Sequence, residues 1–274
     1  MLPTPSTSHV PYARVYEPAE DSFLLLDTLS SPSEQAFLRS HFPASSSSSS
    51  SSPSPLLLEV GSGSGVVVAF LAANAAAIFG RADVLAAATD VNVHACRATA
   101  QTVAGAVAEA AASASSRDPE SGLFLGGVQA DLASPWRAGG VDVLVFNPPY
   151  VPTPDLPRWD DHHQGEGEGQ GQAPGTTTTT TTFEGDSHLL SLSYAGGRDG
   201  METTDRLIDS LPSALSARGC AYVLLCAQNR PEEVKKRIRG FDGDGGRRWR
   251  AETVGTSGKQ AGWEKLQIVR IWRE

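Results

Sequence analysis

The chain is predicted to fold as one α/β domain, a seven-stranded, mostly parallel sheet with helices on both faces. Three observations predict it. Short apolar runs at 55–60, 84–89, 123–129 and 141–146 alternate with helix-length segments, the order of a doubly wound sheet. The polar residues Glu59, Asp90, Asp131 and Asn147 fall at or just past the ends of these runs, where open α/β sheets bind ligands. The chain closes with 249–254 and 265–272, whose β-branched and aromatic content suits an antiparallel hairpin.

Taken in order, a tail at 1–11 is expected to be flexible, and residues 16–27 to form a lid leading into a helix that starts near Glu20. The serine-rich stretch 43–55 cannot bury a core and reads as a loop. The strand at 55–60 carries Glu59 near its end and runs into Gly61-Ser62-Gly63-Ser64-Gly65, then the apolar helical run 66–79. Strand, glycine turn and helix form a cofactor cradle, because glycine lets the backbone approach a ligand and the first amides of a helix favour electron-rich groups. Val66 stands where a dinucleotide-binding loop carries Gly or Ala. The spacing instead resembles the S-adenosylmethionine loop, in which an acid at the position of Glu59 holds the positively charged methionine end. The strand at 84–89 ends at Asp90, placed to accept from two ribose hydroxyls, with Val91 and Asn92 following. A helix over 93–114 and a strand over 123–129 lead to Asp131 and Leu132, an acid and an apolar side chain suited to an adenine ring.

The run 141–146 reads as a buried strand, and Pro148 and Pro149 cannot continue its ladder, so Asn147 sits where the backbone leaves the sheet. Asn147-Pro148-Pro149-Tyr150 resembles the signature of class I methyltransferases acting on planar nitrogens, an adenine amino group or a glutamine amide. The residue types suit that chemistry. An amide lone pair is delocalised and no side chain fully deprotonates the group near neutral pH, so hydrogen bonds must orient it. The Asn147 side-chain carbonyl and the Pro148 backbone carbonyl can each accept one N–H, favouring the charge that builds on nitrogen. Tyr150 offers a flat face for stacking.

Beyond this loop lies a biased insertion at 155–190 that includes Thr176–Thr182, then the glycine-rich segment 195–200. Residues 207–215 read as a helix, 219–227 as a buried strand and 231–239 as a helix opened by Pro231. Removing 43–55 and 155–190 leaves about 225 of 274 residues, the size of a single domain.

Five segments, 16–27, 58–65, 89–92, 146–151 and 195–200, together resemble the eukaryotic branch of the HemK family of methyltransferases, and 16–27 is the segment least shared with the wider class. The resemblance implies a class I, Rossmann-like methyltransferase that modifies the glutamine amide of the Gly-Gly-Gln loop in the class I translation termination factor. It implies catalytic contacts from Asn147, Pro148 and Tyr150, and cofactor contacts from Tyr16, Ser22, Glu59, Gly61, Gly63, Asp90, Val91, Asp131, Leu132 and Asn147. It implies S-adenosylmethionine as cofactor and, as obligate partner, a small zinc-binding activator protein that extends the sheet edge. A lysine methyltransferase, an adenine N6-methyltransferase and a non-catalytic cofactor-binding scaffold are the rival readings.

The formal charge of −9 disfavours broad phosphate contact. From Arg230 onward 12 Lys/Arg oppose 7 Asp/Glu, a local +5 that leaves −14 on the rest; this reads first as a solvated basic helix and hairpin edge, with a face that steers an acidic protein partner or RNA as the alternative. Cys96, Cys220 and Cys226, odd in number and without C-x-x-C spacing, read as packing residues of a reducing compartment. The six histidines have no ligand spacing, so no metal is expected in the chain. With no long apolar run and no basic-then-apolar leader, a cytoplasmic protein is expected, with the nucleus as a second compartment.

Overall fold

Strand β4 (Val141–Phe146) is buried along its whole length, as a strand covered by helices on both faces must be. It sits mid-sheet in the order β3-β2-β1-β4-β5-β7-β6. The other strands are β1 (Leu56–Val60), β2 (Leu85–Asp90), β3 (Leu123–Gln129), β5 (Leu215–Cys226), β6 (Trp249–Thr256) and β7 (Leu266–Arg273). Strands β1 to β5 pair in parallel, while β7 is antiparallel to both β5 and β6. The computed structural model describes residues 2–44, 52–113, 120–157, 187–243, 246–257 and 265–274. The serine run 45–51, Ala114, and most of the 155–190 insertion with His162, His163 and Thr176–Thr182 lie outside the described residues.

Alternation along the strands divides the core in two. Leu57, Ala86, Val143, Val145, Tyr222 and Leu224 face one layer, built from α1 (Glu20–Leu29), α2 (Pro32–His41), α3 (Val66–Ala73), α4 (Ala75–Phe79) and α5 (Val93–Ser113). Their neighbours Leu58, Ala87, Leu144, Phe146, Val223 and Leu225 face the other. That second layer receives Leu207, Ile208 and Leu211 of α7 (Glu202–Ala214) and Val234 and Ile238 of α8 (Pro231–Arg239). A further helical segment, α6, covers 187–194. Because β1 pairs with both β2 and β4, the strand order reverses between β1 and β4, and the loops leaving these strands open on the crevice where ligands bind.

Several elements differ from expectation. The tail expected to be flexible at 1–11 is packed at its end. Val10 and Val15 are buried against Ala95 and Ala98 of α5, and His9 Nε2 lies 3.2 Å from the Ala98 carbonyl. The apolar run 66–79 is two helices, broken at Asn74, whose side-chain amide donates to Phe70 O at 2.8 Å. Helix α2 went unread, and 187–190, placed within the insertion, are helical. Helix α7 starts at Glu202, five residues before the expected Leu207, and ends at Ala214. Leu215 instead opens β5, with extended backbone, ahead of the expected Gly219.

Candidate active site

All the predicted site residues line one cavity of about 870 Å3 at the switch point. Tyr16 and Ser22 come from the N-terminal segment, Glu59, Gly61 and Gly63 from the end of β1 and its turn, and Asp90 and Val91 from the end of β2. Asp131 and Leu132 follow β3, and Asn147, Pro148 and Tyr150 follow β4. Residues 14–16 pass beside the cavity and are held there by Asn92, whose side-chain amide donates to Arg14 O at 2.7 Å.

The acids do more structural work than their positions alone suggest. Glu59 is buried, and its Oε2 accepts the Val68 amide at the start of α3 at 2.9 Å. Burial pushes its carboxyl up to about 8. Asp90 accepts from Asn92 N at 2.8 Å through one oxygen and from Gly63 N at 2.9 Å through the other. Burial raises it to about 6, against those two amides. Each carboxylate oxygen keeps a second acceptor site, so a diol can still bind Asp90. The Ser22 hydroxyl, expected to meet a cofactor carboxylate, donates to Asp21 Oδ1 at 3.1 Å and must exchange partners to do so. Asp131 is half-exposed at the cavity wall and is engaged by Arg206 of α7. Leu132 takes a left-handed φ of 51°, a strained conformation for a non-glycine residue.

The glycine turn is explained by packing as well as by ligand approach. A Cβ on Gly65, at φ 77°, would lie 2.5 Å from the Thr99 Cα of α5. The Thr99 hydroxyl donates to Ser62 Oγ at 2.8 Å, bracing the same turn.

The Asn147–Tyr150 loop is clamped from the other side. Val151 bridges Ala195 in parallel, and Gly196 N donates to Val151 O at 2.8 Å. A Cβ on Gly200, at φ 66°, would lie 2.0 Å from the Tyr150 carbonyl oxygen, so the segment 195–200 sits directly against the catalytic loop. Asn229, buried at the end of β5, donates through Nδ2 to the carbonyls of Asp199, Gly200 and Tyr150 at 3.0, 3.3 and 3.4 Å. Its Oδ1 accepts from Cys226 N at 2.8 Å. Asn147 Oδ1, at the wall of this clamped loop, is buried and has no hydrogen-bond partner. Such an acceptor costs about 1–3 kcal/mol until a donor reaches it.

No protein-family model matches the chain. Curated relatives do. The human protein named Methyltransferase HEMK2 is 32% identical over 277 residues, which cover 98% of this chain and 95% of the human one. The chain belongs to the eukaryotic HemK family of methyltransferases. A second relative, the eRF1 methyltransferase catalytic subunit mtq2 of Schizosaccharomyces pombe, is 30% identical over 279 residues, covering the whole of this chain and 96% of its own. A Methanocaldococcus jannaschii protein, provisionally named a protein N5-glutamine methyltransferase, is 24% identical over 137 residues, 49% of this chain and 51% of its own. The resemblance read from the motifs is therefore the family the relatives show, and the strand order with its antiparallel β7 is the class I methyltransferase sheet.

The cofactor of a HemK methyltransferase is S-adenosylmethionine, and the cavity fits it. Acids end or follow β1, β2 and β3 at the cavity, the volume exceeds what one nucleoside ligand needs, and Asn147, whose Oδ1 is buried without a partner, lines the same cavity. Among the described residues no group of three or more His, Cys, Asp or Glu gathers to hold a metal, and no helix is long and apolar enough to cross a membrane. Cys96, Cys220 and Cys226 are buried thiols.

Sequence reasoning missed three residues of the site. Arg206 carried no signal beyond helical spacing. Asn229 stands in a short link before Pro231 and reads as a helix cap. Asp21 lies inside the quoted lid segment, and its spacing from Tyr16 was the available clue.

Proposed function

We propose that the chain transfers a methyl group from S-adenosylmethionine to the side-chain amide nitrogen of the glutamine in the Gly-Gly-Gln loop of the class I translation termination factor. The observation that carries this reading is Asn147 Oδ1, a buried acceptor without a partner on the wall of the acid-lined cavity. It is suited to receive one N–H of a planar NH2 group. The bound cofactor supplies an electrophilic methyl group on a sulfonium. Asn147 and the Pro148 carbonyl would orient the amide N–H groups and stabilise charge building on nitrogen; the N–CH3 bond would replace the S–CH3 bond, S-adenosylhomocysteine would leave, and one amide proton would be lost to solvent. Tyr150 backs the amide plane, and the 195–200 segment keeps the loop in place.

The names of the S. pombe and M. jannaschii relatives support the factor and the glutamine as targets, and "catalytic subunit" supports a second subunit. We assign that subunit as the small zinc-binding activator and its docking surface as β3. This strand ends the sheet order and exposes Leu123 and Leu125, with Val128 partly exposed beside them. Exposed apolar side chains on an edge strand invite strand addition by a partner. The complex would work in the cytoplasm and nucleus.

The test is co-expression with the activator, followed by incubation with labelled S-adenosylmethionine and four acceptors: the termination factor, its Gln-substituted loop variant, a histone and DNA. Label on the wild-type factor alone supports the reading. Label on histone or DNA, or on the loop variant, overturns the target.

A further inference from the structure

We infer that Asp21 is a positioning residue that ties the cofactor lid to the target-side wall, so that Tyr16 and Tyr150 are placed by one buried carboxylate. Asp21 is the second residue of α1, is 2% exposed and lies on the cavity wall. Its Oδ2 accepts the Tyr16 hydroxyl at 3.0 Å and the Tyr150 hydroxyl at 3.5 Å. Its Oδ1 accepts from Ser22, through the backbone amide at 2.5 Å and through the hydroxyl at 3.1 Å. Three segments of the molecule meet on this group. Tyr16 belongs to the strap held by Asn92, Asp21 to α1, and Tyr150, 129 residues further on, to the loop after β4.

The arrangement suits positioning better than stability. A buried carboxylate needs its hydrogen bonds merely to offset lost hydration, and an apolar residue of similar size would pack at lower cost. What the carboxylate adds is direction. The Tyr150 backbone carbonyl accepts from Asn229 and its hydroxyl donates to Asp21, so the residue is held at both ends. A ring held in that way presents one face at a set height, against which a planar acceptor group can lie. The same carboxylate holds Tyr16, which lines the cofactor side of the cavity. The Ser22 hydroxyl donates to the other oxygen of the same carboxylate, so Ser22, the lid tyrosine and the wall tyrosine form one hydrogen-bonded unit.

The inference rests on the proposed function only in taking the Asn147–Tyr150 loop as the target side. Its test uses the chain with its activator, wild type and the variants Asp21→Asn, Tyr16→Phe, Tyr150→Phe and Asp21→Asn/Tyr150→Phe. Turnover on the termination factor is measured alongside the Kd for S-adenosylhomocysteine by calorimetry. Tyr150→Phe should lower kcat about tenfold with the Kd within about twofold of wild type, and Tyr16→Phe should raise the Kd about tenfold or more, the scale of one hydrogen bond to a charged group. Asp21→Asn should show both effects, and the double variant should be no slower than Asp21→Asn alone, because both changes remove the same contact. Losses that multiply in the double variant, or an Asp21→Asn protein with wild-type kcat and Kd, overturn the inference. If Asp21→Asn fails to fold, the two phenylalanine variants leave the carboxylate in place, and wild-type values in both overturn it equally. A wild-type complex that transfers nothing to the factor refutes the proposed function instead. The S-adenosylhomocysteine Kd then decides the inference: it should rise alike in Asp21→Asn and Tyr16→Phe, and a wild-type Kd in either overturns it.

Discussion

At the scale of single residues, the proposed chemistry centres on Asn147. Its Oδ1 is buried and has no hydrogen-bond partner, and the residue lines the cavity. Asn147→Ala should therefore lower kcat by about 100-fold or more, the scale of losing one oxyanion-hole donor, well beyond any change in S-adenosylhomocysteine affinity. Parallel calorimetry and turnover check it, and near-normal turnover would sink the mechanism. Glu59 gives a prediction in pH. Its folded pKa, about 8, lies above the ordinary value of 4.5, and that of Asp90, about 6, above 3.8. Groups raised in this way bind more protons folded than unfolded, so the stability of the cofactor-free chain is greatest below pH 4 to 5 as far as these two are concerned. It falls as pH rises towards 6 for Asp90 and towards 8 for Glu59. Glu59→Gln keeps an acceptor for Val68 N and removes the larger part of this slope. Its Tm should match wild type near pH 5 and exceed it at pH 8, by about 2–4 °C for each kcal/mol recovered. A thermal melt series over that range is the check, and an unchanged slope would contradict the burial argument.

At the scale of elements, the Asn147–Tyr150 loop is positioned by a neighbour rather than by its own prolines alone. Gly200→Ala would drive a Cβ into the Tyr150 carbonyl oxygen and place alanine at a left-handed φ. The loop should shift, and kcat should fall about 100-fold, as a displacement on the order of 1 Å near the chemistry can cause. A crystal structure of the variant with an undisturbed loop and full turnover would refute the clamp. Elements were legible in the sequence where their pattern was strong. The β3 range 123–129 and the α8 range 231–239 match the structure residue for residue, because β-type content between turn signals marks the one and Pro231 marks the start of the other. Helix α2 escaped because its buried face carries Leu38 beside a carboxylate, Glu34, too little for an apolar stripe. That carboxylate is buried against Arg270 Nη1 at 2.8 Å and the Tyr222 hydroxyl at 2.8 Å, partners more than 180 residues away. The one local trace was the cap, Ser31 accepting from Glu34 N with Pro32 in the first turn. The early start of α7 was hidden by a polar first turn, Glu202-Thr203-Thr204-Asp205. The ligand-facing acids were legible because strand ends point them at one crevice. The Asn229 clip was not, because its three carbonyl partners are brought together only by the fold.

At the scale of the whole molecule, the cavity occupies the switch point while β3 leaves its outer edge without a strand neighbour among the described residues. Leu123 and Leu125 are 62% and 52% exposed on that edge. Replacing both with lysine should improve the solubility of the isolated chain and abolish co-elution with the activator in size-exclusion chromatography, since charge on an edge strand opposes pairing. A complex that survives both substitutions would place the partner elsewhere. The central claim concerns the acceptor atom, and one measurement addresses it most directly. The termination factor is treated with the wild-type complex and with its Asn147→Ala counterpart, and the methyl group is mapped by peptide fragmentation in a mass spectrometer. The account predicts one methyl group on the side-chain amide of the Gly-Gly-Gln glutamine, present after wild-type treatment and absent or strongly reduced with the variant. A methyl group on lysine, or an unmodified glutamine in a factor that has taken up label elsewhere, would contradict it.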